Sequence, residues 1–410
     1  MIDKAQRQLF DEIERIYENA TGPLSNEQLY EELCKSKVVS EADLEGNRVD
    51  IGGDSHSLLK RKIRWFQQTL KSAGVIERVA TRGMWQLAEK TKKKLTEIKS
   101  GIIILGFSTL LGFAAVADAK TMLAGLDQKV DLFFSSPPYP LRNVRAYGNC
   151  DQRVYCDWLS QYVELAVDKM ADSGSLVLNL SNDIFMHKSP ARSTYLERLV
   201  IAFEDRFGLA LMGRDVWKSN KPPGPVYWVS LNRTHLNVGY EPVLWFAKDP
   251  HKVKANNQNV LQAHTETHLK FIESGGNKNE RVNGNGSYRV KEGAYSKPTA
   301  GRIPTNVLEI SNTCASGREY KRHCKDMGVE QHGATMPLKL AEFYVNYLTE
   351  TSDLCMDIFG GSSTLGLACE LNARRWITCD KVFDYVAGAS FRFKDFDGYE
   401  HNEAINKFLV

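Results

Sequence analysis

The sequence predicts an α/β protein with a mostly parallel sheet, preceded by a smaller helical unit. Between residues 100 and 250, short apolar runs alternate with helical segments, and the runs at 130–134, 175–180 and 242–247 are typical of strands buried on both faces. The same alternation resumes from Pro337 onward. The first 90 or so residues instead show helical periodicity, so we expect them to fold as a separate unit.

The composition indicates a globular protein of ordinary polarity. The 410 residues are 42% hydrophobic and 25% charged, and the formal net charge of +3 is compatible with nucleic-acid binding without requiring it. Eight cysteines lack the paired spacing of secreted proteins, and the first residues open into a charged helical pattern with no signal peptide. These features predict reduced thiols and a cytoplasmic location.

The segment 101–117 is almost wholly apolar, which raises the alternative of a membrane span. It is shorter than the roughly 20 residues that a spanning helix needs. Gly106, Ser108, Thr109 and Gly112 also interrupt it. We therefore expect a buried strand and turn, and no membrane association.

Residues 1–95 have the element order of a winged-helix domain. Ile13 and Tyr17 lie on a first helix, Ser25 and Gln28 form a capping box that opens a second, and a third helix ends at Gly74. Two β-like runs follow, at 75–80 and 84–87. The polar face of the third helix carries Lys60, Arg61, Lys62, Arg64, Gln67, Gln68 and Lys71.

This basic face, with Arg82 between the two β-like runs, suits contact with DNA. A solvated helix face on a packing domain is an equally good interpretation, because such faces are common. The lysines at 90 and 92–94 indicate a linker or a phosphate-contacting stretch.

The first chemical site is Ser135-Ser136-Pro137-Pro138-Tyr139, directly after the apolar strand at 131–134. The two prolines stop the strand and hold the next residues stiffly, while neither uses a backbone N–H. Ser136 offers a hydroxyl and Tyr139 a flat aromatic face. This set suits holding an exocyclic amino group by its hydrogens, so that the nitrogen lone pair points at an electrophile.

The second site is a strand, a small-residue turn and a helix. The strand leads to Asp357, Phe359 follows, and the turn consists of Gly360, Gly361, Ser362, Ser363 and Thr364. A further strand ends in Asp380, about 20 positions later, where nucleoside-binding α/β folds place a ribose ligand. No phosphate-gripping lysine accompanies the turn, which argues against a nucleoside triphosphatase and for a nucleoside ligand without a phosphate chain.

Together the two sites resemble the catalytic and AdoMet-binding motifs of the DNA amino-methyltransferases, which act on cytosine N4 or adenine N6. Ser at the first place of the tetrapeptide is the form typical of the N4-cytosine enzymes. The motif order resembles the β class of the family, and Pro337 opens a segment where that class has a further cofactor-contacting helix. The resemblance covers roughly residues 100–395.

The resemblance implies a Rossmann-like AdoMet-dependent methyltransferase fold, in which 100–250 is the catalytic half, 250–310 a target-recognition insert and 311–410 the AdoMet-binding half. It implies that Ser136, Pro137, Pro138 and Tyr139 are catalytic. It also implies S-adenosyl-L-methionine (AdoMet) as cofactor, with Asp380 on its ribose, Phe359 packed on it and the 360–364 loop facing its amino-acid portion. The residues that it implies for AdoMet binding are Pro337, Asp357, Phe359, Gly360, Gly361, Ser362, Thr364 and Asp380.

The implied activity is site-specific methylation of cytosine N4 in double-stranded DNA by base flipping and in-line attack, in a restriction-modification system with a cognate endonuclease as partner. Adenine N6 methylation is the first alternative, and an RNA or small-molecule amino group is another. A DNA-binding regulator with a degenerate methylase domain is the alternative from a different class.

Two departures from the family pattern stand out. Ser363 occupies a place where the family usually has glycine, which adds a Cβ to the AdoMet loop. His332-Gly333-Ala334 replaces the usual His-Pro-Ala turn.

Two other chemistries find less support. No Pro-Cys pair occurs, which argues against a C5-cytosine enzyme with its nucleophilic cysteine. Cys314, His323, Cys324 and His332 lack a C-x-x-C pair, so we expect no metal site.

Overall fold

The computed structural model describes residues 4–46, 48–51, 54–72, 76–79, 83–87, 95–141, 150–187, 189–220, 227–286 and 288–409. The chain forms two compact units. The first consists of residues 1–94 together with 185–192 and 222–239, and the second contains the remainder. Gly74, Arg82 and the lysines at 90–94 lie outside the described residues.

Among its described residues, the first unit contains four α-helices and five short strands. The helices are α1 (Lys4–Asn19), α2 (Asn26–Lys35), α3 (Glu41–Glu45) and α4 (Leu58–Ser72). The strands are β1 (Leu24–Ser25), β2 (Arg48–Ile51), β3 (Asp54–Ser57), β4 (Ile76–Arg78) and β5 (Met84–Leu87). Strands β1, β5 and β4 form an antiparallel sheet in that order, and β2 and β3 form a separate hairpin.

The predicted helices are present, and the Ser25–Gln28 capping box opens α2 as expected. One part of the predicted polar face of α4 is wrong. Gln67 is buried, and its side-chain amide donates to the Tyr17 hydroxyl at 2.8 Å and to Asn26 Oδ1 at 3.1 Å. A glutamine is tolerated in this core because its amide finds polar partners there.

The core of the first unit includes side chains from the middle of the chain. Leu231 is buried in the same cluster as Ile13, Leu29 and Ile63, and Tyr227 lies 5.2 Å from Phe10, ring centre to ring centre. The helical turn Tyr227–Leu231 thus belongs to the first unit, although the stretches of chain on either side of 222–239 belong to the second.

In the part of the chain that the structure describes, the second unit is built on a mixed sheet of ten strands. Its strands are β6 (Ile103–Ser108), β7 (Gly112–Ala117), β8 (Val130–Ser135), β9 (Met170–Asn179), β10 (Ala210–Lys218), β11 (Glu241–Ala247), β14 (Val307–Glu309), β15 (Leu354–Asp357), β16 (Arg375–Asp380) and β17 (Glu400–His401), and a small hairpin adds β12 (Arg281–Asn283) and β13 (Tyr288–Val290). Its helices are α5 (Ala119–Ala124), α6 (Tyr155–Lys169), α7 (Tyr195–Phe207), α8 (Glu266–Glu273), α9 (Ala315–Met327), α10 (Leu338–Leu348), α11 (Thr364–Leu371) and α12 (Phe383–Ser390).

The strand order is β14-β10-β11-β9-β8-β15-β16-β7-β6-β17. The five central strands, β9-β8-β15-β16-β7, run parallel, whereas β11 and β6 pair antiparallel with their ends of this set. The α/β prediction is therefore confirmed, with a parallel centre and largely antiparallel flanks. Apolar clusters cover both faces of the centre, as a parallel sheet requires.

The apolar segment 101–117 forms the antiparallel pair β6–β7, as the strand-and-turn prediction required. Strand β7 is largely buried, but Ile103 and Leu105 on β6 are each 44% exposed because this strand lies near the sheet edge. Within the described part of the chain, no helix is long and apolar enough to cross a membrane.

The segment 250–310 has regular structure of its own. It contains α8 and the β12–β13 hairpin, and a bridge between Gln262 and Arg302 closes its base. Its last residues form β14, which pairs parallel with β10 at the sheet edge.

Candidate functional site

A cavity of about 330 Å³ opens where four neighbouring parallel strands end. Strands β8, β15, β16 and β7 lie side by side, and the residues that directly follow each of them line this cavity. Their carboxyl ends meet at one edge of the sheet, which is where open α/β sheets bind ligands. The residues at the strand ends that line it are 117–119, 136–139, 358–359 and 380–381.

All four residues of the Ser136–Tyr139 motif line the cavity. The Ser136 and Tyr139 hydroxyls lie 3.0 Å apart, and the Tyr139 hydroxyl is also 3.0 Å from Glu241 Oε2 and 3.2 Å from Asn179 Oδ1. Burial, and next the nearby Glu241 carboxylate, raise the pKa of Tyr139 well above its usual value. The phenol therefore stays protonated at neutral pH and acts as a hydrogen-bond donor.

Glu241 and Asn179 were absent from the residues predicted from sequence. Glu241 begins β11 and Asn179 ends β9, and these strands are antiparallel neighbours that bring both side chains to Tyr139. A polar residue at the end of an apolar strand is the only sequence signal for either one.

Asp357 lies behind the cavity wall and does not line it. Its Oδ1 accepts hydrogen bonds from the Ser135 hydroxyl at 2.7 Å and from the Phe359 amide at 3.0 Å. Burial raises the pKa of Asp357 to about 7. This carboxyl therefore joins the ends of β8 and β15, so that the Ser136–Tyr139 motif and the segment that begins at Asp357 are held together.

An aromatic wall forms one side of the cavity. Phe359 lies 5.3 Å from Tyr162 and 5.9 Å from Trp158, between ring centres, and all three side chains line the cavity. Trp158 and Tyr162 come from α6, and no motif in the sequence marked them. Such a wall suits a flat heterocycle.

Two carboxyl groups line the cavity at the ends of adjacent strands. Asp380 accepts hydrogen bonds from the backbone amides of Gly361 and Val382, each at 3.0 Å. Burial raises its pKa to about 6, and those two amides partly offset the increase. Asp118 follows β7 and caps α5 by accepting from the amides of Lys120 and Thr121. Sequence reasoning did not single out Asp118.

The 360–364 turn lies behind the cavity rather than on its wall. Ser362, Ser363 and Thr364 are buried, and the Ser362 and Thr364 hydroxyls lie 3.1 Å apart. Gly360 and Gly361 connect this turn to Phe359, and Gly361 has a φ of 48°. The structure therefore brings Phe359 and Asp380 to the cavity and leaves Gly360, Gly361, Ser362 and Thr364 one layer behind.

Ser363 has a left-handed backbone, with φ 51° and ψ 39°. This conformation favours glycine, as the family pattern indicated for this place. The Ser363 hydroxyl is 2.9 Å from the Thr378 hydroxyl, and this buried hydrogen bond partly offsets the cost of the backbone conformation.

Pro337 caps the start of α10 and does not line the cavity, whereas His332 and Ala334 from the preceding turn do. The His332 ring packs on Gly361, where an added Cβ would lie 3.2 Å from ring atoms. Burial lowers the pKa of His332 to about 4, so the ring is neutral at physiological pH. The remaining candidates for a metal site have other contacts: Cys314 caps α9, and His323 stacks on Phe391.

The sequence matches a family model described as DNA methylase over residues 130–390. This range contains both motifs and the segment between them, and it leaves the N-terminal residues unmatched.

Two relatives agree with this match. The Type II methyltransferase M.PvuII from Proteus hauseri is 33% identical over 291 residues, which cover 70% of this chain and 85% of that protein. The solved structure of PvuII DNA methyltransferase, described as cytosine-N4-specific, superposes with a TM-score of 0.55 and 29% identity over 73% of this chain and 92% of that one.

Proposed function

The chain belongs to the DNA methylase family, and on that premise we propose that it transfers the methyl group of AdoMet to cytosine N4 in duplex DNA. One observation carries the proposal: the Ser136–Tyr139 motif lines the same cavity as Phe359 and Asp380. A base held by the motif and a nucleoside held on the aromatic wall would therefore meet. Similarity to a cytosine-N4-specific enzyme supports cytosine over adenine as the target.

The residues of the cavity fit AdoMet. The aromatic wall suits its adenine, and the Asp380 carboxylate, whose backbone partners leave acceptor capacity, suits the ribose hydroxyls. When bound, AdoMet supplies an electrophilic methyl group. We assign the wall at Phe359 and the carboxylate of Asp380 to its nucleoside, and we propose that the 360–364 loop, one layer behind that wall, supports its amino-acid portion from behind.

Hydrogen bonding orients the Ser136 hydroxyl for the target base. The Glu241 carboxylate only accepts, so the Tyr139 hydroxyl donates to it and accepts in turn from Ser136. The lone pairs of Ser136 Oγ then accept a hydrogen from the target amino group. This arrangement keeps the amino nitrogen lone pair out of conjugation with the ring and directed at the methyl group.

The same hydroxyls provide a path for the proton that the amino nitrogen releases. Ser136 takes this proton as it passes its own to Tyr139, and Tyr139 passes its proton to the Glu241 carboxylate. One N–H bond breaks and one carboxylic O–H bond forms, with no covalent enzyme intermediate. The target base is flipped out of the duplex, because its amino group is otherwise paired within the helix.

Three substitutions test these roles. Ser136→Ala, Tyr139→Phe and Glu241→Gln should each lower kcat by roughly 10²–10⁴-fold, the usual range for proton transfer by a positioned side chain. AdoMet affinity should stay within about twofold, because none of the three belongs to the aromatic wall. Full activity in Ser136→Ala would overturn the catalytic assignment.

The methylated product identifies the target base. Genomic DNA incubated with the protein and AdoMet should yield N4-methylcytosine in nucleoside mass spectrometry. N6-methyladenine alone would refute the choice of cytosine, and the absence of any methylated base would favour a degenerate methylase domain.

We also propose that the first unit contacts DNA as a winged-helix-like domain. Arg61, Arg64 and Gln68 are exposed on one side of α4, beside Trp65, which is 50% exposed. Lys60 instead pairs with Glu45. Exposed cations flanking an aromatic ring suit phosphate contact.

Salt dependence tests this surface. The double variant Arg61→Ala/Arg64→Ala should weaken duplex binding and reduce the slope of log K against log salt by about 2, because each arginine neutralises one phosphate. Lys35→Ala is the matched control, because Lys35 is an exposed cation on α2 already paired with Glu32 at 2.7 Å. If the slope of log K against log salt did not change, these arginines would be solvent-exposed charges that make no contact with DNA phosphates.

For residues 250–310 we propose target-sequence recognition. The β12–β13 hairpin carries Arg281 and Arg289, and Tyr288 and Tyr295 are more than half exposed, with their hydroxyls 2.9 Å apart. Replacing the hairpin with a Gly-Gly link should abolish site-specific methylation while AdoMet still binds. Unchanged specificity would exclude this role.

We propose a cytoplasmic location for the protein, since all eight cysteines are free thiols.

A cognate restriction endonuclease is the partner that we propose, because the relative M.PvuII is a Type II methyltransferase. DNA methylated by this protein should resist cleavage in an extract of the source cells, whereas unmethylated DNA should be cut. Equal cleavage of both would exclude the endonuclease.

A further inference from the structure

A guanidinium group lies behind the 360–364 loop. Arg392, in the turn after α12, donates from Nη1 to the Ser362 carbonyl at 2.6 Å and to Thr364 Oγ1 at 3.0 Å. Its Nη2 donates to Ser316 Oγ at 2.9 Å, at the start of α9. One side chain therefore ties two residues of the loop to a helix outside both motifs.

This cation has no acidic partner among the residues that the structure describes. None of the described ion pairs includes Arg392, its Nε is buried without a hydrogen-bond partner, and its guanidinium carbon lies 5.9 Å from the centre of the Tyr320 ring. Burial lowers the pKa of Arg392 to about 10, so it remains charged at neutral pH. Arg392 is partly buried, and its three hydrogen bonds all go to neutral oxygen atoms of Ser362, Thr364 and Ser316.

The other side of the loop is braced through Tyr320. The Tyr320 hydroxyl accepts the His332 amide hydrogen at 3.0 Å, and the His332 ring packs on Gly361. Arg392 and His332 therefore hold the loop from two directions, and Tyr320 contacts both. No motif in the sequence predicted this arrangement.

We propose that Arg392 is a positioning residue that holds the 360–364 loop in the conformation that supports the amino-acid portion of AdoMet from behind the cavity wall. This inference rests on the proposed function, which assigns that loop to AdoMet. An arginine suits the task because its planar fork reaches the Ser362 carbonyl, the Thr364 hydroxyl and Ser316 at once, which a lysine ammonium does not match.

Two ligands separate positioning of the loop from a general loss of structure. S-adenosylhomocysteine carries the amino-acid portion, and 5′-methylthioadenosine has the same nucleoside without it. Calorimetric titration should show that Arg392→Met weakens S-adenosylhomocysteine binding at least tenfold and leaves methylthioadenosine binding within twofold. Arg392→Lys should restore part of the difference, and Lys394→Met, which removes an exposed cation from the same turn, should change neither affinity.

Catalysis provides a second readout. The KM for AdoMet should rise in Arg392→Met while kcat at saturating AdoMet stays within about threefold, because the Ser136–Tyr139 motif is untouched. Equal loss of both ligands, or no loss of either, would overturn the positioning role. If the wild-type protein bound neither ligand, the proposed function itself would fail, and this inference with it.

Discussion

Ionisation of Asp380 should control how tightly the protein binds AdoMet. The carboxyl lines the cavity, and burial raises its pKa to about 6 against the opposing effect of the Val382 and Gly361 amides. Ribose hydroxyls donate hydrogen bonds most strongly to a carboxylate, so the ionised form is the one that binds. The informative perturbation is therefore pH, compared between the wild-type protein and Asp380→Asn.

The raised pKa of Asp380 sets the size of the effect. At pH 5 about one Asp380 in eleven is ionised, and at pH 8 nearly all are. Because the raised pKa belongs to an acid, binding improves as pH rises toward 6 and levels off above about 7. AdoMet affinity should therefore fall about tenfold from pH 8 to pH 5, which corresponds to about 1.4 kcal/mol.

Calorimetric titration of AdoMet at several pH values provides the assay. Other groups also titrate in this range, including the α-amino group of AdoMet, near 8, and Asp357, at about 7. The α-amino group contributes equally to both proteins, and loss of the Asp380 charge removes only the smallest of the causes that shift the pKa of Asp357, so the difference between the two profiles chiefly reports Asp380. Parallel profiles in the wild-type protein and Asp380→Asn would refute the ribose-binding role.

Two further predictions concern stability and are checked by urea denaturation. Lys254 forms ion pairs with Asp131 at 2.9 Å and with Asp353 at 2.7 Å. Lys254→Met should lower the free energy of unfolding by about 2–3 kcal/mol, because two largely buried carboxylates lose their cation. A decrease of less than about 0.5 kcal/mol would contradict this prediction. Ser363→Ala should lower the free energy of unfolding by about 1–2 kcal/mol, because the hydrogen bond with Thr378 is lost. Ser363→Gly loses the same hydrogen bond but relieves the left-handed backbone, so its free energy of unfolding should stay within about 1 kcal/mol of the wild-type value. Equal destabilisation by both substitutions would show that φ at this residue carries no cost.

Local patterns predicted the elements well where one stretch of chain contains the whole signal. The capping box at Ser25 and Gln28 opens a helix because its two hydrogen bonds span only three residues. The apolar run at 101–117 forms a strand, a turn and a strand because Ser108, Thr109 and Gly112 lie at the turn, whereas Gly106 lies at a register shift within β6. The left-handed backbone at Ser363 agrees with the glycine that relatives usually place there.

Contacts between residues that are far apart in the sequence were not predicted from the sequence. Gln67 lies on a polar stretch of α4, yet its side chain is buried in the core because it hydrogen-bonds to Tyr17 and Asn26. The turn at 227–231 contributes to the core of the first unit, although it follows β10 of the second. Neither outcome follows from periodicity, since both depend on partners that the fold brings from elsewhere.

The sequence by itself determined the parallel centre, the two motifs and their order, because a motif at the end of a buried strand needs only its own residue types and spacing. Only the tertiary structure decided which side chains support those motifs. Glu241 lies 102 residues from Tyr139, and Arg392 lies 28 residues from Thr364, so their contacts depend on strand order and helix packing. The physical reason is that hydrogen bonds and charge act over a few ångströms, and chain spacing alone does not bring these groups that close.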